Sequence, residues 1–137
     1  MIALDTYVIM DLLSGEVELV KKAKKYLNEV REKGGIASAV LLTEIVYHVS
    51  RRRNPQFAEE AVAFIRNFPN LSVMEVTVDI AVMAGRLRNK YYKSKTREIS
   101  FLDCVHLASA LSASAQKFVT GDKDFDAVEE MAVEIYR

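Results

Sequence analysis

Short apolar runs alternate along the chain with longer stretches whose apolar positions recur every three or four residues. Ile2-Ala3-Leu4 is continuously apolar and predicts a short buried strand, with a helical turn from Val8 to Leu13 behind it. Val17, Val20, Ala23, Leu27 and Val30 keep a helical period, while Lys21, Lys22, Lys24, Lys25, Glu29 and Arg31 occupy the other face; Gly34-Gly35 ends this helix. Ile36-Ala37-Ser38 predicts a second strand. Helix-forming sequence follows from Val40 to Arg53 and stops before Pro55, since a residue preceding proline is pushed out of the helical region. Ala58, Ala61, Val62 and Ile65 mark another helix ending near Pro69, and Leu71 to Val76 alternates as a strand does. Ile80, Ala84, Leu87 and Tyr91 mark a helix, Lys93 to Glu98 a charged connection, and Ser100 to Ser112 a helix with Ser100 as its N-cap. Lys117 to Thr120 reads as a strand, Gly121 to Asp126 as a turn, and Val133 to Tyr136 as a last strand.

Strands that alternate with helices build βαβ units. The expected fold is therefore α/β, a three-layer arrangement with a mainly parallel central sheet covered on both faces. Ligands of such sheets sit beyond the carboxyl ends of the strands, where the strand order switches. The 137 residues, half of them hydrophobic, suit a single domain spanning 1–137 with its own core. No apolar run reaches the ~20 residues of a membrane span. The opening Met1-Ile2-Ala3-Leu4-Asp5 lacks a basic leader, so the expected location is cytoplasmic. Cys104 is the only cysteine, which excludes an internal disulfide and a cysteine-based zinc site. With 19 basic and 19 acidic residues the formal net charge is zero, so only local charge distribution can attract a polyanion.

Four acids fall where the expected fold brings chain together. Asp5 directly follows the first strand, and Asp122 follows the strand ending at Thr120. Glu44 lies early in the helix after the second strand, and Asp103 lies in the first turn of the helix capped by Ser100. Parallel strands and crossover helices place all four at one rim. Converging carboxylates repel one another, and a hard divalent cation such as Mg²⁺ removes that repulsion. Beside a phosphodiester such an ion neutralises charge and activates water.

At these residues the chain resembles the PIN-domain family, in particular the VapC-type toxins of prokaryotic toxin–antitoxin pairs. Asp5-Thr6 is similar to the family's opening acid motif, Thr43-Glu44 to its second acid, Ser100 to Ala110 to the helix carrying the third, and Thr120-Gly121-Asp122-Lys123-Asp124-Phe125 to the closing segment with the fourth. The resemblance spans nearly the whole chain and implies a metal-dependent endoribonuclease. Asp5, Glu44, Asp103 and Asp122 would be the catalytic, metal-holding residues, with Mg²⁺ or Mn²⁺ as cofactor and RNA as substrate. It further implies products with 5′-phosphate and 3′-hydroxyl ends, an antitoxin protein as partner, and a homodimer. In one place the chain departs from the pattern: Tyr7 stands where the family often has Asn or Ser. That departure keeps a catalytically inactive PIN-like protein, binding RNA or a partner, as an alternative. A receiver-like signalling domain is a further rival, although Asp11 falls within a helix rather than beside Asp5.

Other residues have competing readings. Thr6 either contacts a metal water or phosphate or caps the helix after it, and Thr120 either holds Asp122 or satisfies the strand end. Asp124 and Asp126 are read as turn contacts to backbone N–H groups, with a metal-bound water as the alternative role. His106 has no companion at zinc spacing and reads as a packing histidine; His48 reads as partly exposed and Cys104 as a small core residue. Arg51-Arg52-Arg53 either grips RNA phosphates, pairs with an acidic partner, or is a solvated helix end. Lys90, Lys93, Lys95 and Arg97, interleaved with Tyr91 and Tyr92, read as a charged loop before a base-stacking surface.

Overall fold

The computed structural model describes residues 1–137. In chain order it runs β1 (Ile2–Leu4), α1 (Thr6–Leu12), α2 (Val17–Lys33), β2 (Gly35–Ser38), α3 (Val40–Arg52), α4 (Pro55–Arg66), β3 (Leu71–Met74), α5 (Val78–Tyr91), α6 (Phe101–Ser112), β4 (Lys117–Thr120) and β5 (Ala132–Ile135), with a 3₁₀ turn at Lys123–Phe125. The five strands form one sheet in the order β3-β2-β1-β4-β5, and all four pairings are parallel.

Alternation along the strands divides the interior into two cores, because successive side chains of a strand point to opposite faces. Ile2, Leu4, Ala37 and Val119 pack with α1, α2, α3 and α4. Ala3, Ile36 and Phe118 face the other way, against α5 and α6. The connections to β2 and β3 thus cover one face, and the connection from β3 to β4 crosses the sheet over the other. The strand order switches between β1 and β4, and their carboxyl ends flank the crevice such sheets use for ligands.

Helix ends follow local chemistry. Asn54 caps α4, whose first residue is Pro55, and the Asn54 side chain accepts from Phe57 N at 2.7 Å. Pro55 therefore starts a helix as well as stopping one, since its missing N–H is no loss at that position. Ser100 and Asp103 form a reciprocal capping box on α6. The pair Gly34-Gly35 divides its work. Gly34 leaves α2 at φ 84°, a conformation that favours glycine, while Gly35 opens β2, where a Cβ would stand 2.7 Å from Val30. Strand β3 ends at Met74, short of Val76, because its pairing with β2 ends at Ser38. No helix is long and apolar enough to cross a membrane.

The basic stretch from the end of α5 onward is drawn only partly into internal pairs, with Lys93 and Lys95 left exposed. Lys90 bridges Glu129 and Glu130, the buried Tyr91 donates its hydroxyl to Glu130 (2.5 Å), and Arg97 pairs with Asp126.

Candidate active site

Chain direction explains why the acids meet. Asp5 leaves β1 at its carboxyl end, where its N–H donates to Val119 O of β4 (2.9 Å), and Asp122 lies two residues beyond the end of β4. Helix α3 starts from the carboxyl end of β2, so Glu44 lies about one turn from that rim. Helix α6 runs back to feed β4, so its first turn, with Asp103, returns to the same rim. All four side chains line one cavity of about 600 Å³, together with Thr6, Tyr7, Asp11, His48, Arg52 and Arg137.

The acids are tied together by short polar links. Asp5 is buried and caps α1 through Thr6 N–H (2.7 Å). Its other oxygen accepts from the Thr120 hydroxyl (2.6 Å), and Thr120 Oγ1 in turn accepts from Asp122 N–H (3.0 Å). Thr120 thus connects the first acid to the last. Asp103 Oδ2 accepts from Ser100 N–H (2.9 Å), and Ser100 Oγ accepts from Asp103 N–H (3.0 Å), so the cap also fixes the acid. Thr6 does not cap a helix; its hydroxyl donates to Glu44 Oε1 (2.7 Å). Asp122 makes the turn contact expected of its neighbours, accepting from Asp124 N–H (2.8 Å). Asp124 does not line the cavity, and Asp126 is engaged by Arg97.

His106 is the residue whose role the sequence concealed. It is buried, as a packing histidine would be, but its Nε2 donates to Glu44 Oε1 at 2.5 Å and lies 3.1 Å from Thr6 Oγ1 and 3.8 Å from Asp5 Oδ1. Its Nδ1 is buried without a partner. Burial opposes the charged imidazolium, yet the Glu44 hydrogen bond and the nearby Asp5 charge hold its pKa above the ordinary value. Burial likewise opposes ionisation of Glu44, and the His106 bond and charge outweigh it and keep that carboxyl low. No zinc spacing could have revealed this contact, because Glu44 and His106 lie 62 residues apart.

Asp103 and Asp5 carry the cost of buried charge. Burial pushes Asp103 up to about 6, with repulsion from Asp5 and Asp122 adding to it. Asp5 is raised chiefly by burial, against the pull of His106 and Thr120. The donor set is all oxygen, which a hard divalent cation prefers. No three His, Cys, Asp or Glu side chains stand close enough to enclose one ion by themselves. That spacing fits Mg²⁺, which keeps several waters and takes only one or two carboxylates directly.

Of the three consecutive arginines, Arg52 alone lines the cavity. Arg53 lies over the Phe57 ring, 4.4 Å from its centre, and Arg51 is exposed. Asp11 is buried and bonded to Tyr136 and Arg137, so it is not the second acid of a receiver-like pocket.

The PIN-domain family model matches residues 2–131. The chain belongs to the PIN-domain family. Solved structures of similar fold include VapC20 of Mycobacterium tuberculosis, a sarcin–ricin-loop-cleaving toxin (25% identity, TM-score 0.75, 96% of this chain and 99% of that one). A chain of VapBC2 from Rickettsia felis, bound to a fragment of its promoter DNA, aligns over 98% of both chains with 18% identity and a TM-score of 0.76. A toxin–antitoxin complex from Klebsiella pneumoniae aligns over 96% of both, with 21% identity and a TM-score of 0.70. No curated protein matches. This PIN domain therefore shares the fold of VapC toxins, and the rim that carries its acids is the crevice at the switch of strand order.

Proposed function

We propose that this PIN domain is a metal-dependent endoribonuclease and the toxin of a toxin–antitoxin pair. The observation that carries the reading is the convergence of Asp5, Glu44, Asp103 and Asp122, from four separate elements, on one cavity. Toxin–antitoxin complexes among the structures of similar fold support an antitoxin as partner.

When bound, Mg²⁺ or Mn²⁺ supplies charge neutralisation at the scissile phosphate and a more acidic water. Asp5, Asp103 and Asp122, with Glu44 as the fourth acid, would hold it, one or two of them directly and the others through its bound waters. The chain's own part is positioning. Thr120 fixes Asp5, Ser100 fixes Asp103, and Thr6 with His106 fix one oxygen of Glu44, leaving its other oxygen for the cavity. Side chains held this way need little reorganisation when substrate arrives. Arg52 offers a phosphate contact at the same cavity.

The test is cleavage of a labelled, structured RNA with Mg²⁺, with Mn²⁺ and with EDTA, using wild type beside Asp5→Asn. Cutting by wild type in either metal, abolished by EDTA and reduced at least about 100-fold in Asp5→Asn, is the expected result. Equal cutting by both proteins would refute the assignment of the site.

A further inference from the structure

Two arginines line the acid cavity, and they come from opposite flanks of the sheet. Arg52 ends α3 on the β2 side, and Arg137 follows β5 at the far edge. Arg137 is held firmly. Its Nε donates to Asp11 Oδ2 (3.2 Å) and its Nη2 to Asp11 Oδ1, while the Tyr136 hydroxyl donates to the same carboxylate (2.6 Å). Its Nη1 has no hydrogen-bond partner within the protein. The guanidinium lies over Tyr7, with Cζ 5.0 Å from the ring centre.

The backbone beside Asp122 is shaped to admit this pair. A Cβ at Gly121 would stand 2.8 Å from Tyr7 Cδ1 and 2.9 Å from Arg137 Cδ, too close for any side chain without a shift. Tyr7 itself is half-buried and borders the cavity, and its hydroxyl makes no hydrogen bond to the protein.

We propose that Tyr7 and Arg137 form a nucleotide-holding lip on the cavity, in which the ring stacks on an unpaired base and the free Nη1 of Arg137 takes a phosphate oxygen. The proposal rests on the nuclease reading and deepens it by naming what grips the RNA. A cavity lined by acids repels a polyanion, and a chain of zero net charge supplies no general attraction, so fixed local contacts must do the holding. A guanidinium already immobilised by Asp11 loses little freedom on taking a phosphate. Stacking is indifferent to sequence but needs the base unpaired, which favours a loop or single strand over duplex.

Wild type, Tyr7→Phe and Tyr7→Leu are compared for cleavage of a labelled stem-loop RNA in Mn²⁺, and for binding of the same RNA in EDTA by fluorescence anisotropy. Arg137→Gln is made together with Asp11→Asn, so that no charge is left buried alone, and melting curves show that each variant is folded. Tyr7→Leu keeps the bulk against Gly121 and loses the ring. It should raise KM and weaken binding about ten-fold, with kcat within about two-fold of wild type, while Tyr7→Phe matches wild type. The double variant should bind more weakly and lose about one unit from its salt slope. Unchanged KM and affinity in Tyr7→Leu would overturn the lip and leave the nuclease standing. If wild type does not cleave, the nuclease reading fails. A drop in affinity in Tyr7→Leu would then still support the lip as a binding element, and a wild type that binds no RNA would overturn it.

Discussion

At the scale of single residues, one oxygen of Glu44, Oε1, accepts from both the Thr6 hydroxyl and the His106 ring. Groups that orient a metal-holding carboxylate tune its affinity, and their loss typically costs about 10- to 100-fold. His106→Leu is therefore expected to weaken Mn²⁺ binding by about ten-fold or more, measured by titration calorimetry on protein without RNA. His106→Gln retains an N–H donor and should stay within a few-fold of wild type. Equal loss in both variants would show that the ring packs the core without steering Glu44.

At the scale of elements, the N-terminus of α6 joins stability to chemistry, since the capping box that starts the helix also fixes Asp103. Ser100→Ala should cost about 1 kcal/mol in denaturant unfolding. It should also slow single-turnover cleavage, because Asp103 then loses the hydroxyl side of its box. Ser100→Thr should recover both. A slower reaction with unchanged stability would separate the two roles.

The cap was legible in the sequence because Ser100 and Asp103 are neighbours on one turn and need no tertiary knowledge. The strands β1, β2 and β4 were legible for a related reason: each is built on a short apolar run, Ile2-Ala3-Leu4, Ile36-Ala37 or Phe118-Val119, buried on both faces of the sheet. Asp5, Glu44, Asp103 and Asp122 stood out by position, each at the start or end of an element. What stayed hidden depends on contacts between distant parts of the chain. His106 looks like packing until the fold brings Glu44 to it. Arg137 follows a short edge strand and gains significance only from Asp11 and Tyr7, 126 residues from it in the first case. The turn contact expected of Asp124 is made by Asp122 instead: turn chemistry allows either of two nearby carboxylates to take a backbone N–H, and here the Asp122 side chain accepts from Asp124 N–H.

At the scale of the whole molecule, the acid cavity sets how stability responds to pH. The folded chain holds the Asp103 proton up to about 6, against an ordinary value of 3.8. A raised carboxyl is neutral at low pH, and its ionisation costs folding free energy as pH climbs from the ordinary value through the folded one. Asp5 and His106 are raised as well and act in the same direction, while Glu44 is lowered and opposes them. In EDTA, Asp103→Asn should melt with wild type at pH 4 and above it at pH 7, by on the order of 2 kcal/mol or about 5 °C. Mn²⁺ at pH 7 should raise wild type and narrow the gap, since an ion bound to the folded state alone stabilises it by mass action. Identical melting of both proteins at both pH values would show that the Asp103 charge carries no such cost.

Strand β1 lies at the centre of the sheet and leads directly into Asp5, yet its partner β4 is encoded more than a hundred residues later, with Ile2 paired to Lys117 and Asp5 bonded to Thr120. During synthesis, β1 leaves the ribosome long before Lys117–Thr120 has been made. Until then Asp5 lacks both Thr120 and Asp122, and the middle of the sheet is open. A chain truncated before Lys117 therefore cannot assemble the acid rim, because the strand that brings Thr120 and Asp122 to Asp5 is also the one that closes the middle of the sheet.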